Sequence, residues 1–309
     1  MLISSIFSKS KPINFVLVLV FIGLGHLSYN IFLLDTLVTP QIILQWTVGL
    51  LALLFAIFLI DFISKRNSLT KQNSYVILLF LLFIALFPSI FLDWRVILSN
   101  ILIILAIRRT ISIRSLSDVK RRLFDATFWI VLATLIYFWS ILFLLLVFIT
   151  ILLYVSEDYK NWLVPPLTVL LTSFLIFTIL FLSNNLELID TLLGNRKNFD
   201  FSPYLSNLNI TIGLAFLVLL FTASLLVYLK QQRKKTYQIQ NSIFLILVSF
   251  TIAIMIALVA PDKNGSELIF MIFPLAVFVT NYLENLKRIW LQEGILWLMV
   301  ILPIVLLVL

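Results

Sequence analysis

His26, Tyr29 and Asn30 are spaced three and four residues apart, which puts all three on one face of a helix. Asp35 follows about two turns further on. His26 is the only histidine in the chain and lies in the middle of a long apolar stretch. Two readings of this polar stripe are open. In one, His26 or Asp35 is a general base lining an outward-facing site. In the other, His26 is a neutral side chain hydrogen-bonded inside a helix bundle. Asp93-Trp94-Arg95 is the second candidate. Arg95, with Lys263 on the same rim, could grip a pyrophosphate through charge-assisted hydrogen bonds while Asp35 or Asp93 deprotonates an acceptor hydroxyl. The plainer reading is a loop between two helices, with Trp94 at the membrane interface and the charged pair in solvent. Glu187, Asp190, Asp200, Asp262 and Glu267 share that rim.

The densest charge lies in the segment 108–122, where Arg108, Arg109, Arg114, Lys120, Arg121 and Arg122 fall close together. Beside anionic lipid, each contributes about 1 kcal/mol of attraction, so the segment reads either as a grip on a phosphorylated lipid or as a topogenic signal. Ser115, three residues ahead of Asp118, has the spacing of a capping box. The chain contains no cysteine, which excludes disulfides, thiolate metal sites, iron–sulfur clusters and cysteine nucleophiles. One histidine cannot build a multi-histidine metal site, and neither a Walker nor a dinucleotide glycine pattern is present. No metal or cofactor is therefore expected. The net charge of +8 does not suggest nucleic acid, because the basic residues are split into short clusters between apolar runs.

The elements that would position these residues follow from composition. With 62% hydrophobic and 12% charged residues, the chain is far more apolar than a soluble domain. A membrane-crossing helix needs about 20 apolar residues. That length criterion gives eleven spans, near 13–34, 41–63, 74–92, 95–107, 123–137, 138–155, 163–183, 208–229, 242–260, 268–283 and 295–309. The stretch 123–154 could be one tilted helix or a tight hairpin turning near Tyr137-Phe-Trp-Ser140. The hairpin gathers all but four of the 22 lysines and arginines on one side, the exceptions being Arg95, Arg196, Lys197 and Lys263. Basic residues accumulate on the cytoplasmic side of short loops, so the expected architecture is an all-α bundle of about eleven spans in a single domain. Its N-terminus is cytoplasmic and its C-terminus extracytoplasmic. Trp46, Trp94, Trp162 and Trp290 sit near span ends as interfacial anchors. The interiors of the spans are otherwise almost free of ionisable groups, which argues against ion-coupled transport.

The opening Ser4-Ser-Ile-Phe-Ser-Lys-Ser-Lys-Pro-Ile-Asn14, then Leu92-Asp-Trp94, Leu98-Ser-Asn100, Arg108-Arg109 and the run Leu123 to Trp129 through Tyr137-Phe-Trp-Ser140 resemble a family of uncharacterised multi-pass inner-membrane proteins of Bacteroidota. The resemblance covers essentially the whole chain and implies a cytoplasmic membrane. A fainter likeness, carried by the basic loop, Phe124-Asp-Ala126, the hairpin and Tyr159-Lys-Asn-Trp162, is to polyprenyl-linked sugar transferases of the C-type glycosyltransferase superfamily. Those enzymes place acidic residues in a substantial first outer loop, whereas here that loop is short and holds Asp35 alone. The function expected is handling of a lipid-linked substrate such as a glycan at the extracytoplasmic face during envelope biogenesis, with a polyprenyl phosphate among the membrane lipids it meets. The alternative is a non-catalytic membrane subunit that stabilises a protein partner, and transport comes third.

Overall fold

Runs of Leu, Ile, Val and Phe with no polar face form helices that must be enclosed on all sides or meet lipid, and this chain contains both kinds. The computed structural model describes residues 3–32, 39–185, 198–231 and 237–308, and their regular structure is helical throughout. The helices are α1 (Ile3–Phe7), α2 (Pro12–Phe32), α3 (Pro40–Arg66), α4 (Tyr75–Ala85), α5 (Ser89–Leu92), α6 (Trp94–Ser112), α7 (Val119–Ile136) and α8 (Leu144–Tyr154). They continue with α9 (Tyr159–Leu182), α10 (Ser202–Ser206), α11 (Leu208–Gln231), α12 (Tyr237–Val259), α13 (Ile269–Asn285) and α14 (Ile289–Val308).

Eight of these (α2, α3, α6, α9, α11, α12, α13 and α14) are long and apolar enough to cross a membrane. The other three expected spans are helical but fall short for separate reasons. Residues 74–92 are broken between α4 and α5 by Leu86-Phe87-Pro88, and α7 carries Lys120, Arg121, Arg122 and Asp125 in its first turns. Residues 138–155 open with a 3₁₀ turn, Phe138–Phe143, which leaves only 11 residues for α8.

Helix α4 is the innermost element. Its sequence, YVILLFLLFIA, is apolar all round, and every residue up to Ile84 is buried. It packs on α13, which is buried along nearly its full length. Helices α11 and α12 pack on α13 and helices α2 and α3 on α4, while α2, α3, α9, α11 and α14 present Leu and Phe outward.

Polar contacts sort the connecting segments into two ends. At the basic end, Ser74 N–H donates to the Phe7 carbonyl (3.0 Å) and the Arg114 guanidinium to the Asn67 carbonyl (3.0 Å). Lys71 N–H and the Asn73 amide donate to Glu284 (2.8 and 2.6 Å), and Glu293 accepts from Ser4 N–H (2.7 Å). Lys120 at the start of α7 pairs with Asp158, just beyond α8, at 3.5 Å. That pair closes the base of an α7–α8 hairpin, so the chain does turn back after Tyr137. At the other end, Asp93 accepts from Ser266, Asn198 donates to the Pro261 carbonyl, and Tyr204 donates to Glu267. The described basic loops that charge counting puts on one side thus meet in space, with Arg95 and Lys263 at the opposite end.

The expected capping box at Ser115 does not form. Ser115 belongs to a 3₁₀ turn, and α7 starts after Leu116 and Asp118, both at positive φ (55° and 48°). Ser115 instead donates to the Ser112 carbonyl (3.2 Å) and receives Arg122 (2.6 Å).

Candidate functional site

The richest polar cluster among the described residues lies at the end opposite the basic loops and centres on Glu267. Gly265 occupies a left-handed turn (φ +93°), and a Cβ there would stand 3.0 Å from Ser89 Oγ, so a side chain is strained by the backbone and crowds Ser89. The turn folds Glu267 back so that its Oε1 accepts the Gly265 N–H at 3.2 Å. Oε1 also accepts a hydrogen bond from the Tyr204 hydroxyl. Glu267 is 1% exposed, and its second oxygen, Oε2, has no hydrogen-bond partner among the described residues. A buried carboxylate oxygen left unsatisfied is costly and usually has a reason, such as a ligand or a reacting group.

Short local interactions hold the residues around it. Asp200 accepts from both the N–H and the hydroxyl of Ser202 (2.9 Å each), which starts α10 and delivers Tyr204. Those two donors hold the Asp200 carboxyl below the usual carboxylate range. Burial, reinforced by the negative charge of Glu267, raises the Tyr204 phenol well above its ordinary value and keeps it neutral. Tyr137 follows the last residue of α7, at the hairpin turn. Its ring leans on Phe270 with centroids 5.6 Å apart.

Phe138, the next residue, lines an apolar crevice of about 360 Å³ between α7, the 3₁₀ turn and α9, together with Val131, Thr134, Ile141, Ser173 and Phe177. The crevice lies along the outer halves of α7 and α9 and ends at the residue after Tyr137.

The sequence candidates fall in different places. Asp35 lies outside the described residues, as do Glu187 and Asp190. Asp93 Oδ1 caps α6 by accepting from Arg95 N–H and Val96 N–H (3.2 Å each), and Oδ2 accepts from Ser266 at 3.3 Å. Asp93 therefore joins the Glu267 cluster. The exposed Arg95 guanidinium lies 5.7 Å from the ring centre of Trp94. Lys263 is buried beneath the rim. Its ammonium donates to the Asn198 and Ala260 carbonyls and sits 5.0 Å from the Phe201 ring centre. Burial draws it below the ordinary lysine range, against the opposing pull of Glu267 and Asp200.

The His26 stripe is a helix clamp in this structure. His26 Nε2 stands 3.0 Å from the Trp46 carbonyl, a pure acceptor, so Nε2 carries the hydrogen and donates it. The Asn30 amide nitrogen at 3.4 Å, itself a donor, is then only a neighbour. It donates instead to the His26 and Phe91 carbonyls (2.8 and 3.2 Å). Tyr29 stacks on Phe91 at 5.8 Å. The clamp ties α2 to α3 and α5. A Cβ on Gly49 would lie 3.3 Å from the His26 ring, so glycine allows this close approach. Asn30 borders a cavity of about 150 Å³ with Gln45, Trp46, Phe91 and Trp94.

Most of the cationic loop is engaged internally. Arg109 pairs with Asp125 (3.1 Å), Arg114 with the Asn67 carbonyl and Lys120 with Asp158. Arg122 donates to the Ser112 carbonyl and to the hydroxyls of Ser115 and Ser117. Arg121 is exposed. Arg108 shares the Phe62 ring with Arg66, which was not among the sequence candidates. Tyr137 and Tyr204 were likewise not singled out, and Glu267 was only one acid of the rim. The available signal was its position: a carboxylate within a turn of a long apolar run, behind a glycine.

A helical protein with eight membrane-length apolar helices, enclosing a polar cluster at one end, is a membrane protein. The chain belongs to a family of unknown function (DUF6427), whose model matches residues 1–308. No curated protein and no solved structure matches it.

Proposed function

We propose that this protein takes a lipid with a long apolar chain from the leaflet beside α7 and α9 and presents its polar head to the Glu267 cluster. The carrying observation is the meeting of two unlike features at the hairpin turn: the apolar crevice reaches Phe138, and the preceding residue, Tyr137, leans its ring on Phe270, three residues beyond Glu267. A lipid-linked substrate, with a glycan or phosphate head, has this same division. In that role the unpartnered Oε2 of Glu267 accepts a head-group hydroxyl, and the cluster orients the head. The chain would cross a cytoplasmic membrane eleven times, with α4 and α5 together, α7, and α8 with its 3₁₀ turn as the three short crossings. The basic end would face the cytoplasm and the Glu267 end the outside. The contrast in lysine and arginine between the two ends supports this orientation, and the resemblance to inner-membrane proteins of Bacteroidota supports the choice of membrane.

Gentle extraction of the full chain followed by native mass spectrometry tests the reading. The expected result is a retained polyprenyl-phosphate or glycolipid, mostly lost when Ser173→Trp fills the crevice. Retention of bulk phospholipid alone, or retention indifferent to Ser173→Trp, would refute it. A second reading, a non-catalytic subunit, is favoured by α9, which contacts α7 and α8 and leaves Leu167, Leu170, Phe174 and Leu182 exposed. A stoichiometric protein partner without such a lipid would decide for it.

A further inference from the structure

At the basic end, Arg66, Arg108, Arg109 and Arg122 surround a cavity of about 120 Å³, completed by Phe62, Asn67 and Ser112. These residues come from the last turn of α3, the last turns of α6 and the first turn of α7. The convergence is therefore a product of tertiary packing as well as local sequence. Arg66 and Arg108 share one aromatic support, with guanidinium carbons 5.3 and 4.9 Å from the Phe62 ring centre. Arg109 is already paired with Asp125 and Arg122 with Ser112, Ser115 and Ser117. Neither Arg66 nor Arg108 has a carboxylate within 4.0 Å among the described residues. A topogenic signal needs only charge in a loop. It does not need four guanidinium groups held around a cavity, of which Arg109 alone pairs with a carboxylate among the described residues.

We propose that this cavity is a binding site for a phosphate group, with Arg66 and Arg108 as its principal donors and Arg109 and Arg122 as fixed flanking charges. Guanidinium forks match phosphate oxygens in pairs, and bringing a dianion between like charges relieves their mutual repulsion. The phosphate can belong to a lipid headgroup, since Phe62 is 40% exposed on the outer surface of α3, or to a soluble compound.

The test uses the full-length protein in detergent, with binding measured by calorimetry. The probes are dihexanoyl phosphatidic acid, dihexanoyl phosphatidylcholine and inorganic phosphate. Phosphatidic acid should bind, and Arg66→Gln with Arg108→Gln should weaken it about tenfold or more, the equivalent of roughly 1.4 kcal/mol. The exposed pair Lys120→Gln with Arg121→Gln should leave it nearly unchanged. If inorganic phosphate competes at similar concentration, the natural ligand is a soluble phosphate. If only the lipid binds, it is a headgroup. Should the glutamine pair fail to fold, Arg66→Lys with Arg108→Lys keeps the charge but removes the forks, and binding should still fall several-fold. The proposal is overturned if phosphatidylcholine binds as well as phosphatidic acid. It is also overturned if neither phosphate probe binds, if the control pair weakens binding equally, or if the lysine pair binds as the native chain does.

Discussion

Tyr204→Phe removes one oxygen and leaves the ring in place, so it deletes the hydroxyl that anchors Glu267 and that also lies 3.2 Å from the Ala257 carbonyl. Both side chains are buried, at 8% and 1% exposure. After the change, Glu267 Oε1 keeps the Gly265 N–H at 3.2 Å, while Oε2 has no partner among the described residues. A hydrogen bond to a charged group contributes about 1.5–3 kcal/mol, and stranding the acceptor forfeits most of it, so a loss of about 2 kcal/mol is expected. In a chain of this length each kcal/mol moves Tm by roughly 2 °C or less, giving a fall of about 3–4 °C. Tryptophan fluorescence during heating of the detergent-solubilised protein measures it. Glu267→Gln keeps an acceptor for Tyr204 but converts the bond to a neutral one. The Tyr204→Phe/Glu267→Gln double variant should therefore be less destabilised than the two singles combined, with a coupling of about 1–2 kcal/mol. An unchanged Tm in Tyr204→Phe together with zero coupling would show that the tyrosine does not hold the carboxylate, and the Glu267 cluster would lose its standing as an organised site.

Two further outcomes follow from the geometry. Gly265→Ala should destabilise by about 1–3 kcal/mol, because a left-handed backbone is strained for alanine and the new methyl meets Ser89. Adding Ser89→Ala should restore only the contact part, and full restoration in the melting curve would show that the φ of +93° imposes no strain. Asp158 caps α9 through Lys160 N–H (3.0 Å) and pairs with Lys120. Those interactions, the backbone donor first, hold its carboxyl below the ordinary value of 3.8. A depressed carboxyl adds stability that is present above 3.8 and disappears as pH falls through the lower folded value. The acid limb of the melting-temperature profile should flatten in Asp158→Asn, and an unaltered limb would rule the group out.

The helical class and the eight membrane-length helices were legible from composition and length, because burial of this much Leu, Ile and Phe leaves few alternatives. The α7–α8 hairpin was legible from charge alone, and Lys120 meeting Asp158 is its geometric counterpart. The break in residues 74–92 was harder to read. Pro88 marks it, but its weight depends on α4 being enclosed, which only packing reveals. The Glu267 cluster was illegible for a similar reason. Glu267, Tyr204, Tyr137 and Asp93 come from four separated segments, and no periodicity connects them. Asp93 was singled out for its neighbour Arg95, yet its side chain serves Val96 N–H and Ser266. The six cationic positions were obvious as a cluster, but which of them find internal partners depends on Asp125, Asp158 and the serines of the turn.

Helix α4 also constrains how the protein can be made. Its 11 residues span about 16 Å, roughly half the hydrocarbon thickness, so lipid alone holds it poorly. Its chief packing partner, α13, is synthesised only after most of the chain has left the ribosome. Until then α4 must shelter against α2 and α3, which it also contacts. The N-terminal helices should therefore hold α4 until α13 is made and packs against it. Nascent chains halted before residue 269 should be held open and be preferred substrates for membrane proteases, while chains that include α13 escape them.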